Sequence, residues 1–186
     1  IRRVRNMEFR WALVACLGVM MLGTLKGIVV AIVLSLAGLM YLAYDPRVSE
    51  LRRKPGTNVF RPRSPEHPQD EAIPGLLIAR PEDRLYFGNA ANVGAKLRAL
   101  TQAAAPQVVL LDCSAIPGFE YTALKMLIEG EEKQREQGRE LWLAALNPEA
   151  LELVRRTPLA ERLGRERMFF NVDQAVAAFQ ARQAAQ

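Results

Sequence analysis

The sequence predicts an α/β domain with a mixed, largely parallel sheet and flanking helices, preceded by a two-helix transmembrane hairpin. The apolar run over residues 108–111 is short and ends at Asp112, which is typical of a strand buried on both faces. From residue 73 onward, strand and helix patterns alternate, as they do in parallel sheets. Two apolar segments without a charge, residues 11–25 and 27–44, stand in front of this region.

The charge of the chain is unevenly distributed. Residues 1–69 contain eleven Lys or Arg and four Asp or Glu, a net charge of +7, whereas residues 70–186 contain fourteen and sixteen, a net charge of −2. A basic front beside apolar segments favours contact with membrane lipid, and the mildly acidic back excludes a nucleic-acid-binding domain. Because the chain begins with Ile1 rather than Met, we expect a processed product or a fragment.

The two apolar segments predict a membrane hairpin with residues 23–27 as its outer turn. Positive residues favour the cytoplasmic side, so both ends of the hairpin and the back domain are expected in the cytoplasm of an integral membrane protein. A signal peptide is less favoured, since no small-residue cleavage site follows the first segment. A soluble helical hairpin would be apolar all round and would need a large core to cover it. The flanking cations are Arg2, Arg3, Arg5 and Arg10 before the hairpin, and Arg47, Arg52, Arg53 and Lys54 after it.

The sequence divides into three parts: the membrane segments at residues 1–45, a basic Pro-rich linker at residues 46–72, and a folded domain at residues 73–186. Asp45-Pro46 ends the second apolar helix. Residues 48–54 are expected to form a short surface helix. His67, the only histidine, lies in the linker and has no catalytic partner at a recognisable spacing.

Within the back domain, residues 76–80 and 85–87 predict a hairpin of two strands, joined by a polar turn. A helix capped by Asn89 follows, then the central strand, its helix, and a further strand at residues 141–146. Asn147 and Asn171 are expected to cap the last helices, and Met168-Phe169-Phe170 a last short strand.

Polar side chains gather where the central strand ends: Asp112, Ser114, Glu120 and Thr122. In open α/β sheets, ligands bind at the carboxyl ends of the strands, so this loop is the candidate site. Asp112 and Glu120 could form a general acid and base pair. However, the sequence shows no activated nucleophile, no metal-ligand spacing and no phosphate loop. We therefore expect no enzyme, no catalytic residue, no metal and no cofactor. Cys16 and Cys113 are interpreted as small buried residues in a reducing compartment.

Residues 108–124, VVLLDCSAIPGFEYTAL, resemble the central segment of a STAS domain, the fold of anti-sigma-factor antagonists and of the cytoplasmic tails of SulP anion permeases. LRRKPGTNVFRPR, IPGLLIAR and LYFGNA resemble the region where a SulP permease leaves the membrane. The resemblance implies the C-terminal part of a secondary transporter of sulfate or a related anion, with the substrate site upstream of Ile1. The domain would serve regulation, assembly and trafficking. Its partners would be the upstream transmembrane domain, lipid, and a protein partner or a second copy through the permease.

Thr122 stands where antagonist STAS domains accept a phosphate. This sequence departs from the antagonist pattern, with Glu120 for Asp, Tyr121 for Ser and Ala123 for Gly. Capping of the helix by the Thr122 oxygen is the competing hypothesis, and we favour it over phosphorylation. The alternative function is a free-standing, membrane-tethered STAS regulator that binds a protein partner. A reading frame that continues upstream into further apolar segments would favour the permease, and a nearby start codon would favour the regulator.

Overall fold

The computed structural model describes Leu13 and residues 24–185. The chain divides into two compact units, Ile1–Tyr44 and Asp45–Gln186. Helix α1, Thr24–Tyr44, belongs to the first unit and carries exposed apolar side chains such as Ile28, Val33 and Leu36. Among the described residues, none of the helices combines the length and the apolar character needed to cross a membrane.

The described part of the predicted outer turn, residues 24–27, lies inside α1. Leu25 and Lys26 are good helix formers, and a single glycine at position 27 weakens a helix without ending it. The turn predicted for these residues is therefore wrong. Gly23 and most of the first predicted apolar segment lie outside the described residues.

Within the second unit, six described strands form one sheet in the order β2-β1-β3-β4-β5-β6. β3 to β6 run parallel to one another, whereas β1 is antiparallel to both of its neighbours. The sheet is therefore mixed and largely parallel, as predicted. The strands are β1 Val48–Arg53, β2 Phe60–Pro62, β3 Leu76–Pro81, β4 Val108–Asp112, β5 Glu140–Ala144 and β6 Met168–Phe169.

The helices cover both faces of the sheet. Successive side chains of a strand point to opposite faces. Val109 and Leu111 of β4 thus join one core with α2 to α5, while Val108 and Leu110 join the other with the last helix. Phe179 of that helix packs edge-on against Trp142 of β5. The helices are α2 Ala90–Ala104, α3 Tyr121–Glu136, α4 Pro148–Arg155, α5 Pro158–Leu163 and α6 Val172–Ala184, with a 3₁₀ turn at Arg165–Arg167.

The surface helix predicted for residues 48–54 is wrong, because these residues form β1. The strand pairs with β3 through Val48, Ser49 and Glu50, and it buries Leu51 to 3% exposure. Local periodicity did not predict this strand, because its stability comes from hydrogen bonds to β3, which lies well after it in the sequence. Without β1, the edge of β3 would be unpaired. The residues predicted as a linker therefore supply two strands of the sheet.

At the start of this unit, Lys96 Nζ lies 2.7 Å from Asp45 Oδ1 and donates to the Pro46 carbonyl at 2.8 Å.

The predicted strand at residues 85–87 is also wrong, and β3 takes β1 as its antiparallel partner instead. Only Leu85 makes a bridge, to Phe119. The buried Asn89 side chain accepts from the Tyr86 amide and donates to the Arg84 carbonyl, and these bonds curl the segment into a turn. Asn89 stands at the start of α2, but it makes no side-chain cap bond.

Two predicted caps are confirmed. The Asn147 side chain accepts from the Ala150 amide at 2.7 Å, and Asn171 accepts from the Gln174 amide at 2.8 Å. Each satisfies an amide that the first turn of its helix leaves without an intrahelical partner. Helices α4 and α6 therefore begin where the sequence predicts.

We expect residues 45–186 to unfold in one cooperative transition, and residues 70–186 to melt at a lower temperature. The shorter fragment lacks β1 and β2, loses the burial of Leu51, worth about 1.5–3 kcal/mol, and opens the edge of β3. Thermal melts followed by circular dichroism test this. Leu51→Ala in the longer fragment is the matched control and should cost about 2–5 kcal/mol. Equal stability of the two fragments would contradict the role given to β1.

Candidate functional site

The candidate site is the loop of residues 113–120, which joins β4 to α3 at the carboxyl edge of the parallel strands. The Cys113 amide donates to the Ala144 carbonyl at 2.9 Å, and the Glu120 amide donates to the Leu85 carbonyl at 3.1 Å. These bonds attach the loop to β5 on one side and to the segment after β3 on the other. The loop is thus held at its two ends by neighbouring elements.

Asp112 ends β4 and is 1% exposed. Its Oδ2 accepts from Arg80 Nε at 2.8 Å and lies 2.7 Å from a second guanidinium nitrogen, while its Oδ1 accepts from the Ser114 amide at 3.0 Å. Both carboxylate oxygens are therefore engaged. A buried carboxylate needs such partners, and this one fastens β3 to β4 and starts the loop. Asp112 thus has a structural role at the ends of β3 and β4.

Asn147 supports the loop from the side of β5. Its Nδ2 donates to the carbonyls of Ile116 at 3.1 Å and Pro117 at 2.9 Å, while its oxygen caps α4. Ile116 and Phe119 are themselves buried in the core below the loop. Three neighbours and two apolar anchors leave this loop with a defined shape.

The loop presents a small polar and aromatic surface. Ser114, Glu120 and Thr122 are exposed, and Tyr121 is 82% exposed. Glu120 is the N-cap residue of α3 and makes no side-chain cap bond, so Thr122 lies in the first turn. The capping role preferred for Thr122 is therefore wrong. The structure brings Ser114, Glu120 and Thr122 to the outside of one loop and separates Asp112 from them by burial.

Comparison with known proteins now places the chain in a family. The family model of the STAS domain matches residues 67–175, more than half of the chain.

The chain belongs to the STAS domain family.

Anion transporters and anti-sigma factor antagonists are both similar to this chain. High affinity sulfate transporter 2 of Stylosanthes hamata is 26% identical over 98% of this chain and 29% of its own length. The chain thus spans less than a third of that relative, and the predicted resemblance to sulfate permeases is confirmed.

Solved structures show the same fold. The murine solute carrier 26 family member A9 anion transporter superposes with a TM-score of 0.71 at 18% identity, over 83% of this chain and 25% of the transporter. An anti-sigma factor antagonist from Mycobacterium paratuberculosis gives a TM-score of 0.50 at 19% identity, over 58% of this chain and 88% of that protein.

The basic residues that follow α1 contribute to the net positive charge of residues 1–69. In the structure, four of these cations already have carboxylate partners. Arg52 and Arg63 pair with Glu50 at 2.9 and 3.2 Å, Arg53 pairs with Glu71 at 3.2 Å, and Arg61 pairs with Asp70 at 2.7 Å. Most of the basic charge of residues 46–72 is therefore used inside the domain.

The Arg61–Asp70 pair is the best organised of these contacts. Arg61 donates from Nε and from a terminal nitrogen to the two oxygens of the buried Asp70, at 2.7 and 2.8 Å. The hydrogen bond from Arg61 holds the pKa of Asp70 below its usual range. The pair thus stabilises the folded domain at neutral pH, and this stabilisation is lost as the pH falls through the lowered pKa of Asp70.

Burial raises the pKa of the Cys113 thiol, and the neighbouring charge of Asp112 raises it further. The thiol therefore stays protonated at neutral pH and donates weakly to the Leu111 carbonyl at 3.7 Å. This agrees with the interpretation of Cys113 as a small buried residue. Cys16 lies outside the described residues.

The sequence analysis did not predict two contacts that hold the loop of residues 113–120. These are the pair of Arg80 with Asp112 and the hydrogen bonds that Asn147 donates to the loop carbonyls. A signal for Arg80 exists in the pattern: Ala79 pairs with Leu111, so Arg80 and Asp112 occupy matching positions at the ends of neighbouring parallel strands. Opposite charges at such positions predict a cross-strand pair. The donor bonds of Asn147 reach across about thirty residues of sequence and leave no local pattern.

We expect Asp112→Ala to destabilise the domain by about 3–5 kcal/mol, because Arg80 is left next to a buried site without its carboxylate. Arg80→Ala should also be costly, since it leaves a buried carboxylate unpaired. The double variant should lose less free energy of unfolding than the two single variants lose in sum. That difference measures the coupling between Asp112 and Arg80. Urea unfolding of the three variants measures this. Glu120→Ala, on the exposed part of the same loop, is the control and should stay within about 0.5 kcal/mol of the wild type.

Proposed function

We propose that the chain is the C-terminal part of a SulP-type anion transporter, in which the STAS domain regulates transport and assembly from the cytoplasm. The observation that supports this most is coverage. A sulfate transporter matches 98% of this chain, so the similarity includes the apolar front as well as the STAS domain. The fold of a solute carrier 26 anion transporter likewise covers 83% of the chain. Sulfate or a related inorganic anion is the proposed substrate, bound by the membrane part of the transporter.

The first 45 residues are proposed to form the two-helix membrane hairpin that leads into the STAS domain. Two uncharged segments and the arginines on either side support this proposal. The exposed apolar side chains of α1, such as Val29, Ile32 and Leu39, are suited to contact with lipid or with other membrane helices.

The loop between β4 and α3 is proposed as the regulatory contact of the domain with a protein partner, the membrane part of the transporter being the first candidate. The inner part of the loop is held by hydrogen bonds and buried side chains, and its outer side chains are exposed. Both properties suit a specific protein contact. Tyr121 supplies a large exposed ring, and aromatic residues are enriched in protein interfaces. Glu120 and Thr122 add an acceptor and a hydroxyl that set the orientation of a partner.

Thr122→Glu should alter transport while the domain stays folded. A negative charge in the first turn of α3 is favoured by the helix dipole at about 0.3–1 kcal/mol, which offsets its repulsion from Glu120. The effect should therefore appear in docking rather than in folding. Transport by the complete transporter and melting of the STAS domain are measured for Thr122→Glu, Thr122→Ala and wild type.

Gln180→Glu is the matched control, because it places the same charge at an exposed position of α6 on the other face of the sheet. It should leave transport unchanged. Equal transport by the wild type and both Thr122 variants would contradict a regulatory role for this residue.

We expect a cysteine introduced at Gly23 to be labelled by an impermeant reagent from outside the cell, because the hairpin is proposed to turn there. Cys16 and Cys113 are first changed to Ala. A cysteine at the exposed Glu66, in the proposed cytoplasmic part, is the control and should be labelled only after permeabilisation. Labelling of the Gly23 position only after permeabilisation would overturn the proposed orientation.

A membrane-tethered STAS regulator that binds a protein partner is the second candidate. The shared fold with an anti-sigma factor antagonist favours it. An antibody against the STAS domain separates the two functions on a blot of native membranes. A transporter gives a band about three times heavier than this chain, in line with the 29% share of the sulfate transporter that the chain matches. A regulator gives a band close to the mass of this chain.

A further inference from the structure

A cavity of about 140 Å³ lies between α2 and α3, above the face of the sheet that these helices cover. Its floor is formed by buried side chains of β4, β5 and α3, namely Val109, Leu111, Leu127 and Leu141. Thr101, near the end of α2, and residues 133–137, near the end of α3, also line it. It therefore lies towards the end of α3 opposite the regulatory loop.

The size and the lining of the cavity suit a small apolar group. An engineered cavity of about 150 Å³ lined by apolar side chains binds benzene. The present cavity has a similar volume and an apolar floor, so a single aromatic ring or a short alkyl chain fits the space. A ligand group of that kind would be taken out of water against Leu111, Leu127 and Leu141, which favours binding.

Gly130 leaves this space open. A β-carbon at Gly130 would meet nothing within 4 Å, although the residue lies inside α3. Glycine in a helix interior lowers helix stability relative to alanine. The position could therefore hold a larger side chain without a clash, and the sequence keeps it empty. Gly94 of α2 lines the same cavity, but a β-carbon there would come within 3.2 Å of Met126 Sδ.

The rim of the cavity is basic. Arg98, Lys133 and Arg139 line it together with one acid, Glu129, which lies 4.0 Å from Lys125. Among the residues that the structure describes, neither Arg98 nor Lys133 has a carboxylate within salt-bridge distance. Two cations without an internal partner beside an apolar space favour a ligand that joins an anion to an apolar body.

One polar atom at the cavity is not satisfied. Gln134 Oε1 is buried and has no hydrogen-bond partner, and Gln134 lines the cavity. A buried acceptor without a donor is costly, so this oxygen is available to accept from a bound group. A hydroxyl or N–H group on the ligand would satisfy this oxygen.

We propose that the cavity between α2 and α3 binds a small amphipathic organic anion. Its apolar part, a ring or a short chain, occupies the space beside Gly130. Its carboxylate, sulfonate or sulfate ester group lies at Arg98 and Lys133, and a hydroxyl or amide N–H donates to Gln134 Oε1. This site is separate from the regulatory loop and does not depend on the function proposed above.

Benzenesulfonate is the first probe, because it combines one ring with one anion. The full chain is labelled with ¹³C at its methionine methyl groups and held in phosphatidylcholine nanodiscs, which add no net lipid charge. Met126 lines the cavity, whereas Met168 packs against the same core outside it. Benzenesulfonate should shift the Met126 signal saturably and leave Met168 in place. Inorganic sulfate, without a ring, and phenol, without the anion, should each bind at least about tenfold more weakly, a difference of about 1.4 kcal/mol.

Two sets of variants decide the site. Gly130→Leu fills the open space and should abolish the Met126 shift while the melting temperature stays the same or rises. Gly130→Ala adds one methyl group and should keep binding. Arg98→Gln with Lys133→Gln should weaken benzenesulfonate about tenfold and leave phenol unchanged. Should Gly130→Leu not fold, the charge variant still decides. No saturable Met126 shift, wild-type binding by Gly130→Leu, or equal binding of sulfate and benzenesulfonate would overturn the proposal.

Discussion

The buried contact between Asp112 and Arg80 is the constraint on which the rest of the domain depends. A carboxylate at 1% exposure is tolerated only because its two oxygens are bonded to a guanidinium group and to the Ser114 amide. The same bonds fix the ends of two central strands and the first turn of the loop that follows them. One group of atoms therefore joins the ends of the two strands to the start of the loop.

The loop shows how an exposed surface is built on such a base. Ile116 and Phe119 lie in the core, Asn147 holds the carbonyls between them, and only the outer side chains reach solvent. A surface of this kind loses little conformational entropy when it meets a partner, because most of the loop is already ordered. The exposed side chains of the loop can therefore change while its buried part keeps its conformation.

Features that depend on short stretches of sequence were predictable. The buried strand β4, the apolar face of α3 and the caps Asn147 and Asn171 follow from patterns within a few residues. The strand at residues 48–53 was not predictable in this way, because its partners in β3 lie about thirty residues away and its own pattern is mostly polar. The strand predicted at residues 85–87 was wrong for the opposite reason. Their pattern suits a strand, but the Asn89 side chain closes a turn around them.

For the candidate site, the exposed members Ser114, Glu120 and Thr122 were found from their position after a buried strand. The hidden supports were not, because Arg80 and Asn147 act across separate elements. The sequence predicted Asp112 as the residue that ends the strand, but not its burial, since burial is a property of the whole fold and not of the motif. The basic residues after α1 were likewise counted as free charge, although Arg61 and three other arginines pair with carboxylates inside the domain.

The contacts of Asp45 and Pro46 determine how the folded unit begins. Only residues 45–47 separate α1 from β1, a length of at most about 10 Å even when extended. Lys96 also fastens this junction to α2 through Asp45 and the Pro46 carbonyl. The start of β1 is therefore tied to α2 as well as to its neighbours in the sheet, and one lysine side chain fixes where the folded unit begins.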